Sequence, residues 1–500
     1  MDEGLIESGQ RQPERSARFC FVLLIASAAV MLVARLHGPS TLHRFDQPRT
    51  VSYTADIIIN GRWLLPRDML GGPATKPPLV NWLAAPVVAL GFWTEWAAKW
   101  PMIAATLATT ALCAWMALRL FRQIPEVEDV KTASAISGIA WLVNPAGLTM
   151  LYHCRPDPVL VTVMTTSWIL GTRIVCEKNP PPALVILGFW ISVGLAALTK
   201  GPAAIVSLLY VPLAARLIGG RWSLINRSSW WWGLPLALAI FCAWAIPVAI
   251  IYPKTFSRLL VGQELIAQAL GLGRQFGAAN IESGGPLVAF KLIWENPLWF
   301  VQRFAPWSLL TISALWAIPA RQWFRHQLAP AILYLLLVLA FFALSAHKTA
   351  DYILPAYPAA AILAAYFCAV VLKRLRIQLW LVATAGFALA VALGIAAIHS
   401  KAGNDRADDN LKMFAHNVNE IVHDDPVVFV KTGFNTLQFF LHRHQGGGAP
   451  TPEQVAQAKW VIMPELNDVT PQLRSQPVPE LNEKRFVLAL YRIESVRGHL

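Results

Sequence analysis

Residues 231–252 read WWGLPLALAIFCAWAIPVAIIY, 22 positions without an Asp, Glu, Lys, Arg or His. At about 1.5 Å of rise per residue, such a run crosses the roughly 30 Å hydrocarbon layer of a bilayer as one helix. No water is present there to satisfy backbone N–H and C=O groups, so the run has to be helical. Ile353–Leu372 and Leu379–Ile398 have the same character. Working outward from these, further apolar runs fall near 79–93, 100–120, 133–151, 158–176, 182–198, 201–217, 298–318 and 329–345. The composition agrees: 56% of the 500 residues are hydrophobic and 14% are charged, against about 25% charged in an ordinary soluble domain. A set of water-soluble modules is excluded. The expected class is mainly α, a polytopic membrane protein with about 11 (11–13) transmembrane helices.

The N-terminus is polar through Arg18 and apolar from Phe19 to Ala34. No small-x-small cleavage site comes before the polar Leu36–Ser40 stretch, so this reads as an uncleaved first span. Basic residues in short loops mark the cytoplasmic side. If 79–93 lies along the surface, the cytoplasmic connections hold Arg119/Arg122/Lys131, Arg173/Lys178, Arg216/Arg221/Arg227, Arg321/Arg325 and Lys373/Arg374/Arg376. The opposite short loops then hold one basic residue each, Arg155, Lys200 and Lys348. Letting 79–93 span would invert every later loop. That segment also carries Pro77, Pro78 and Pro86 beside Trp82, Trp93, Trp96 and Trp100, which suits an interfacial helix. The N-terminus is therefore expected inside, and the C-terminus outside, a plasma (bacterial inner) membrane.

Two long outer loops result from this topology, 37–98 and 253–297, within a membrane domain 1–398. A tail, 399–500, changes composition sharply, with polar linkers at Gly403–Asn410 and Gly446–Pro452. Strand-like runs at Val427–Lys431, Trp460–Met463 and Phe486–Tyr491, with a helical candidate at Phe434–Arg443, predict a small extracytoplasmic α/β domain. Six cysteines lie scattered in or beside apolar segments without a C-x-x-C pair, and read as small buried hydrophobes.

The net charge of +13 raises the question of nucleic acid, but no long basic run or binding signature accompanies it. Of the 42 basic and 29 acidic residues the tail holds 11 and 12, so the membrane part holds 31 and 17 and the whole excess. Loop topology and a basic outer surface explain the charge. No nucleic-acid partner is expected.

Chemistry-bearing residues gather on the expected outer face. The first loop holds Phe45-Asp46-Gln47-Pro48-Arg49 and Thr75-Lys76-Pro77-Pro78. An Asp there can act as a base or orient a nucleophile, while Arg49 and Lys76 can bind an anionic phosphate. Each is equally at home as an ordinary interfacial charge. Asp157, in Arg155-Pro156-Asp157-Pro158, starts a helix and has capping as its bland alternative. Thr199-Lys200-Gly201-Pro202 and His347-Lys348-Thr349-Ala350-Asp351-Tyr352 each place a Lys at the rim, where a snorkelling Lys is common. In the loop 253–297, Arg258 and Arg274 can add a phosphate contact, and Glu264, Glu282 and Lys291 are solvated-charge candidates. His442 and His444, two apart in the tail, have no further obvious metal ligands around them.

In this order, Asp46 with Arg49, Lys76-Pro77-Pro78-Leu79, Arg155-Pro156-Asp157, Thr199-Lys200-Gly201-Pro202, Pro306-Trp307-Ser308 and Tyr352-Ile353-Leu354-Pro355 resemble the GT-C glycosyltransferases of the protein O-mannosyltransferase and aminoarabinose (lipid A) transferase group. The similarity runs over roughly residues 17–398. It implies a hexosyl- or pentosyltransferase that takes a sugar from a polyprenyl-phosphate donor, with inversion and without a nucleotide-sugar site. By carry-over, Asp46 is the essential first-loop acid and Asp157 the second-loop acid. Arg49, Lys76 and Tyr352 hold the lipid phosphate, with Lys200, Lys348 and Arg274 beside them. The acceptor is a lipid, a glycan or a protein. Two departures stand out. The family often has Asp-Glu in the first loop, where this chain has Asp46-Gln47, and aminoarabinose transferases have a metal-holding Glu where this chain has Thr75. No metal ligand is therefore assigned and no certain cofactor, and the use of a divalent metal is left open.

A transporter or flippase of a lipid-linked glycan is the alternative class. It is disfavoured because the expected spans carry no Asp or Glu away from their ends and no repeat is detectable. Gln47 also prompts a third reading, a catalytically retired relative.

Overall fold

In the computed structural model the described residues are 3–37, 42, 47–267, 270, 293–345, 348–372, 374–399, 405–432, 435–446, 449–476, 478–479 and 485–499. Seven helical stretches among them are long and apolar enough to cross a membrane on their own. They are Glu14–His37 within α1 (Glu3–His37), α4 (Glu95–Phe121), α7 (Asp157–Cys176), the pair α8 (Ala183–Lys200) and α9 (Ala204–Leu217), α10 (Trp230–Ile251), Ala350–Leu372 and Leu379–His399. The count of eleven is not reached by helix length: the runs 182–198 and 201–217 form one stretch, the run 329–345 gives a helix of only 15 residues, and a polar cap and a proline break two further runs. The run 133–151 divides into α5 (Val130–Leu142) and α6 (Pro145–Met150). Asn144 stops the first by taking its carbonyls, donating to Ala140 O and Trp141 O, and starts the second by accepting Gly147 N–H at 2.8 Å. The run 298–318 divides at Pro306 into α11 (Glu295–Arg303) and α12 (Trp307–Ala317).

The 11 residues of α3 (Leu79–Ala89) rise only about 16 Å, too short to cross. The interfacial expectation for 79–93 agrees with that length. α3 comes after α2 (Gln47–Asn60) in the first loop and is tied to it by Asn81, which donates to Thr50 O and Thr54 Oγ1 at 2.7 and 3.0 Å.

The centre of the bundle is α14 (Tyr357–Phe367), led in by a 3₁₀ turn, Ala350–Ala356, and almost wholly buried. Ala359, Ala360, Ala361, Ala364 and Ala365 let α12, α13 (Ala329–Ala343) and α5 approach it closely. The peripheral spans are apolar all round, as lipid contact requires. One of them, α15 (Leu379–His399), lies along α1 and buries a stripe of small residues, Ala383, Gly386, Ala390 and Gly394. A Cβ on Gly386 would stand 2.5 Å from Ile139 Cγ2.

At one end of the bundle Glu177 gathers Arg119 and Arg173, while Arg227 donates to the carbonyls of Glu177 and Lys178. The tail sits at the other end. Its helix α16 (Asp405–Val422) repeats apolar residues at Leu411, Phe414, Ala415, Val418 and Val422. These pack on a four-stranded sheet of order β1-β2-β6-β3, in which β1 (Val427–Phe429) runs parallel to β2 (Trp460–Pro464). β6 (Leu488–Arg492) is antiparallel to both β2 and β3 (Leu473–Arg474). Two short strands, β4 (Val478–Pro479) and β5 (Arg485–Phe486), form a separate pair. The predicted strands and the predicted helix, observed as α17 (Asn435–Phe440), are thus present with shifted ends. Cys20, Cys113, Cys154 and Cys368 are buried as expected, but Cys176 is exposed at the end of α7.

Candidate active site

The site is built from helix ends. α8 stops at Lys200 because Gly201 takes φ +58°, ψ −105°, a conformation costly for a residue with a Cβ. The Lys200 ammonium thus emerges at the C-terminal end of α8, where a cation is favoured. Its Nζ donates to Asp157 Oδ1 at 2.5 Å and lies 4.8 Å from the centre of the Tyr352 ring, a cation–π contact. Asp157, 4% exposed, opens α7 but does not cap it. One oxygen is turned to Lys200, and among the described residues Oδ2 has no hydrogen bond, only Arg155 Nε at 3.5 Å. Capping, the bland alternative for Asp157, is therefore not its role.

Arg155 continues the chain of charges. Its guanidinium donates to Asp351 Oδ2, and Asp351 Oδ1 accepts from Arg303 at 2.5 Å. Four elements meet in this relay of Arg303, Asp351, Arg155, Asp157 and Lys200: the end of α11, the 3₁₀ turn before α14, the turn before α7 and the end of α8. Next to it, burial together with Arg155 pushes His153 down to about 3, so His153 adds no positive charge near neutral pH.

Two members of the relay, Lys200 and Asp351, line a cavity of about 400 Å³. Lys76, Lys200, Asp351 and Tyr352 line its polar end, with Thr75 and Ser345. Its remaining wall is apolar, including Phe241 and Trp244 of α10, Phe256 and Leu260 of the helical run Phe256–Ala267, and Phe341 and Phe342 of α13. Lys76 also acts electrostatically on Asp157. The arrangement offers ammonium groups to an anion at one end and an aromatic and aliphatic surface to a hydrocarbon at the other.

Of the residues singled out from sequence, Lys76, Lys200 and Tyr352 meet in this cavity and Asp157 stands directly behind Lys200. Arg49 does not line it, and its Nε faces Asp68 Oδ2 at 3.5 Å. Lys348 does not line it either. Its Nζ donates to Ala343 O and Ser345 O at 2.7 and 2.9 Å and closes the end of α13. Asp46, Arg274, Glu282 and Lys291 lie outside the described residues, as does the Glu264 side chain, while Arg258 is exposed on the Phe256–Ala267 run. Arg303 and Asp351 had no assigned role. Asp351 adjoins Tyr352 in a quoted motif, but Arg303 carried no signal beyond its place in the last turn of a helix. Among the described residues no three His, Cys, Asp or Glu side chains converge to hold a metal, so no step is routed through one.

A second buried charge cluster joins the tail to the first loop. Asp56 Oδ1 accepts Asn60 Nδ2 at 2.7 Å and Arg62 at 3.3 Å, and Oδ2 accepts the Arg67 N–H at 2.7 Å. His444 of the tail packs on this node, with Nδ1 3.3 Å from Asp56 Oδ1 and Nε2 3.1 Å from Ser52 Oγ. Burial lowers the His444 pKa from its usual value. Nearby, His442 stacks on Trp93, and Phe439 is fully buried among Val51, Ala55, Val80 and Val88 of the first loop. His442 and His444 thus serve docking.

Comparison with known proteins agrees with this geometry. Residues 75–246, which include Lys76, Asp157 and Lys200, match the family described as dolichyl-phosphate-mannose-protein mannosyltransferase. The architecture is of GT-C type: the crystal structure of ArnT from Cupriavidus metallidurans bound to undecaprenyl phosphate superposes with a TM-score of 0.69 at 16% identity, over 94% of this chain and 97% of that one. The Archaeoglobus fulgidus oligosaccharyltransferase in complex with Zn and sulfate gives 0.54 at 15%, over 88% and 67%. In sequence, the chain is 23% identical over 366 residues, 70% of its length, to the undecaprenyl phosphate-alpha-4-amino-4-deoxy-L-arabinose arabinosyl transferase of Enterobacter sp. (strain 638). It spans about three fifths of the length of the curated relatives it matches. In fold and in these matches the chain is similar to GT-C proteins of the mannosyltransferase-like and aminoarabinose-transferase-like group, the group its motifs resemble.

Proposed function

We propose that this protein is an integral-membrane glycosyltransferase that moves a sugar from a polyprenyl-phosphate donor to an envelope lipid, glycan or protein acceptor. The reaction takes place at the end of the bundle that carries the tail, on the periplasmic side of a bacterial inner membrane, with the N-terminus in the cytoplasm. The observation that carries the reading is the amphiphilic cavity, in which Lys76 and Lys200 sit at one end of an otherwise apolar wall. A polyprenyl-phosphate sugar has the same division, an anionic head on a hydrocarbon chain.

The chemistry is set by charge. The donor is a phosphodiester with about one negative charge, and the departing lipid phosphate carries nearly two, since its second pKa is about 6. The acceptor hydroxyl oxygen forms the new bond to the anomeric carbon from the face opposite the phosphate, the anomeric C–O bond to phosphate breaks, and the configuration inverts. The acceptor proton passes to a carboxylate, the role the motif assigns to Asp46. Lys76 and Lys200 meet the charge that grows on the phosphate, which lowers the barrier because they act more strongly in the transition state than on the donor. Asp157 and Tyr352 hold the Lys200 ammonium in place. Arg49 and Lys348 are assigned secondary roles outside the cavity wall, and the sequence offers Arg274 as a further phosphate contact.

A labelled polyprenyl-phosphate sugar, incubated with purified protein and envelope acceptors, tests this reading. Transfer should be lost in both Asp46→Ala and Lys76→Ala, and unchanged transfer in both variants would falsify the mechanism. Movement of a fluorescent lipid-linked sugar across proteoliposomes without a covalent product would instead favour a flippase.

A further inference from the structure

Gln47 stands in the chain directly after Asp46, where the resembled family often has Glu. It opens α2, is 1% exposed, and its Oε1 accepts the backbone N–H of Cys154 at 2.9 Å. The contact closes a separation of 107 residues, from the first loop to the turn before α7. Cys154 is buried as well, and burial pushes its thiol up to about 12, so its side chain packs as a thiol rather than reacting. The residues just beyond Cys154 give the hydrogen bond its importance. Arg155 is the next residue and holds Asp351, and Asp157 is two further on and holds Lys200. Within the turn the Arg155 N–H donates to His153 O at 2.7 Å, so the backbone there curls on itself, and Gln47 ties its base to the first loop.

We propose that Gln47 is a positioning residue: its carboxamide oxygen clamps the first loop to the base of the turn that carries Arg155 and Asp157. The clamp sets where Asp157 presents its oxygen to Lys200, and it lies one peptide bond from Asp46. The Gln is then not a sign of lost activity. The position requires a hydrogen-bond acceptor for one buried N–H, and either an amide or a carboxylate supplies it.

This inference rests on the transferase reading, so its test has one arm that reads activity and one that does not. In Gln47→Met the acceptor is lost at similar volume, and in Gln47→Glu it is kept. In the activity arm, Gln47→Met should lower kcat roughly 10–100-fold with the donor KM changed much less, because the Lys200 ammonium that Asp157 holds acts more strongly on the departing phosphate than on the donor. Gln47→Glu should restore most of kcat. In the hydrogen-exchange arm, a peptide covering 152–156 should exchange faster in Gln47→Met than in the unsubstituted protein, while α2 amides keep their protection. Unchanged exchange at 152–156, an unaltered kcat in Gln47→Met, or equal impairment in both variants would overturn the clamp. Absence of any transfer by the unsubstituted protein would count against the transferase reading, and the exchange arm would still decide the clamp.

Discussion

Asp56 and Asp157 are both buried carboxylates at the tail end of the bundle, yet the first is satisfied by its own loop while the second backs a lysine that lines a cavity. Asp56 has both oxygens hydrogen-bonded, by Asn60, Arg62 and the Arg67 N–H, all within 11 residues of it. Asp157 has one oxygen on Lys200, 43 residues away, and one with no hydrogen bond among the described residues. A buried charge is costly unless paired and hydrogen-bonded. A fully served carboxylate therefore acts as a structural node, here the one on which the tail docks. A partly served one keeps spare capacity beside the space where an anion would bind. Burial alone does not separate the two; the count of hydrogen bonds does.

The largest expected break falls on the satisfied node. Asp56→Ala strands the Arg67 N–H and takes the carboxylate from beside Arg62, which keeps Gly446 O, a loss of about 3 kcal/mol by analogy with other broken buried pairs. Thermal unfolding should shift down and the tail should become sensitive to protease, while affinity for polyprenyl phosphate is kept. Lys200→Ala should do the reverse. Transfer should fall about 10²–10³-fold, the usual cost of one donor to a developing anion, with tail protection unaltered. If both variants lose tail docking equally, the two clusters are not separate in function.

Acid should tell them apart as well. The folded pKa of His444 lies below its unfolded value of about 6.5 because of burial, so the unfolded state binds the proton first. The docking contribution is complete above about pH 6.5 and declines as pH falls below that value toward the lowered one. Hydrogen exchange in 435–446 at pH 7.5 and 5.5 measures this, and His444→Asn should flatten the difference. An equal acid response in that variant would take the effect away from His444. The smallest effect is expected for Lys348→Ala, less than about threefold in donor KM, since its ammonium serves the carbonyls of Ala343 and Ser345 and does not line the cavity, and one hydrogen bond of this kind contributes ~1 kcal/mol.

Much of this was legible in the sequence, for definite reasons. Trp230–Ile251 and Leu379–His399 are helices bathed in lipid, where hydropathy is the deciding term. Lys200 stood out because Gly201-Pro202 marks a helix end and leaves a charge at the rim, and Tyr352 because of the motif Tyr352-Ile353-Leu354-Pro355 that resembles the family's. Asn144 and Pro306 escaped, since a cap or a break inside an apolar run changes mean hydropathy very little. Arg303 and Asp351 were invisible for a different reason. Their partners lie 48 and 196 residues away, and no local pattern encodes such a pairing. Asp56 had the same invisibility, since a lone Asp on α2 gives no hint of His444, 388 positions downstream and 3.3 Å distant.

The packing of α15 along α1 has a consequence for how the molecule is made. The ribosome delivers α1 first, and its partner stripe of Ala383, Gly386, Ala390 and Gly394 emerges more than three hundred residues later. Until that helix is inserted, the face of α1 around Val30 and Ala34 has only lipid or a chaperone against it. Closure of the bundle is thus a late event in synthesis, and a bulky side chain at Gly394 would interrupt assembly of the protein before it altered any chemistry.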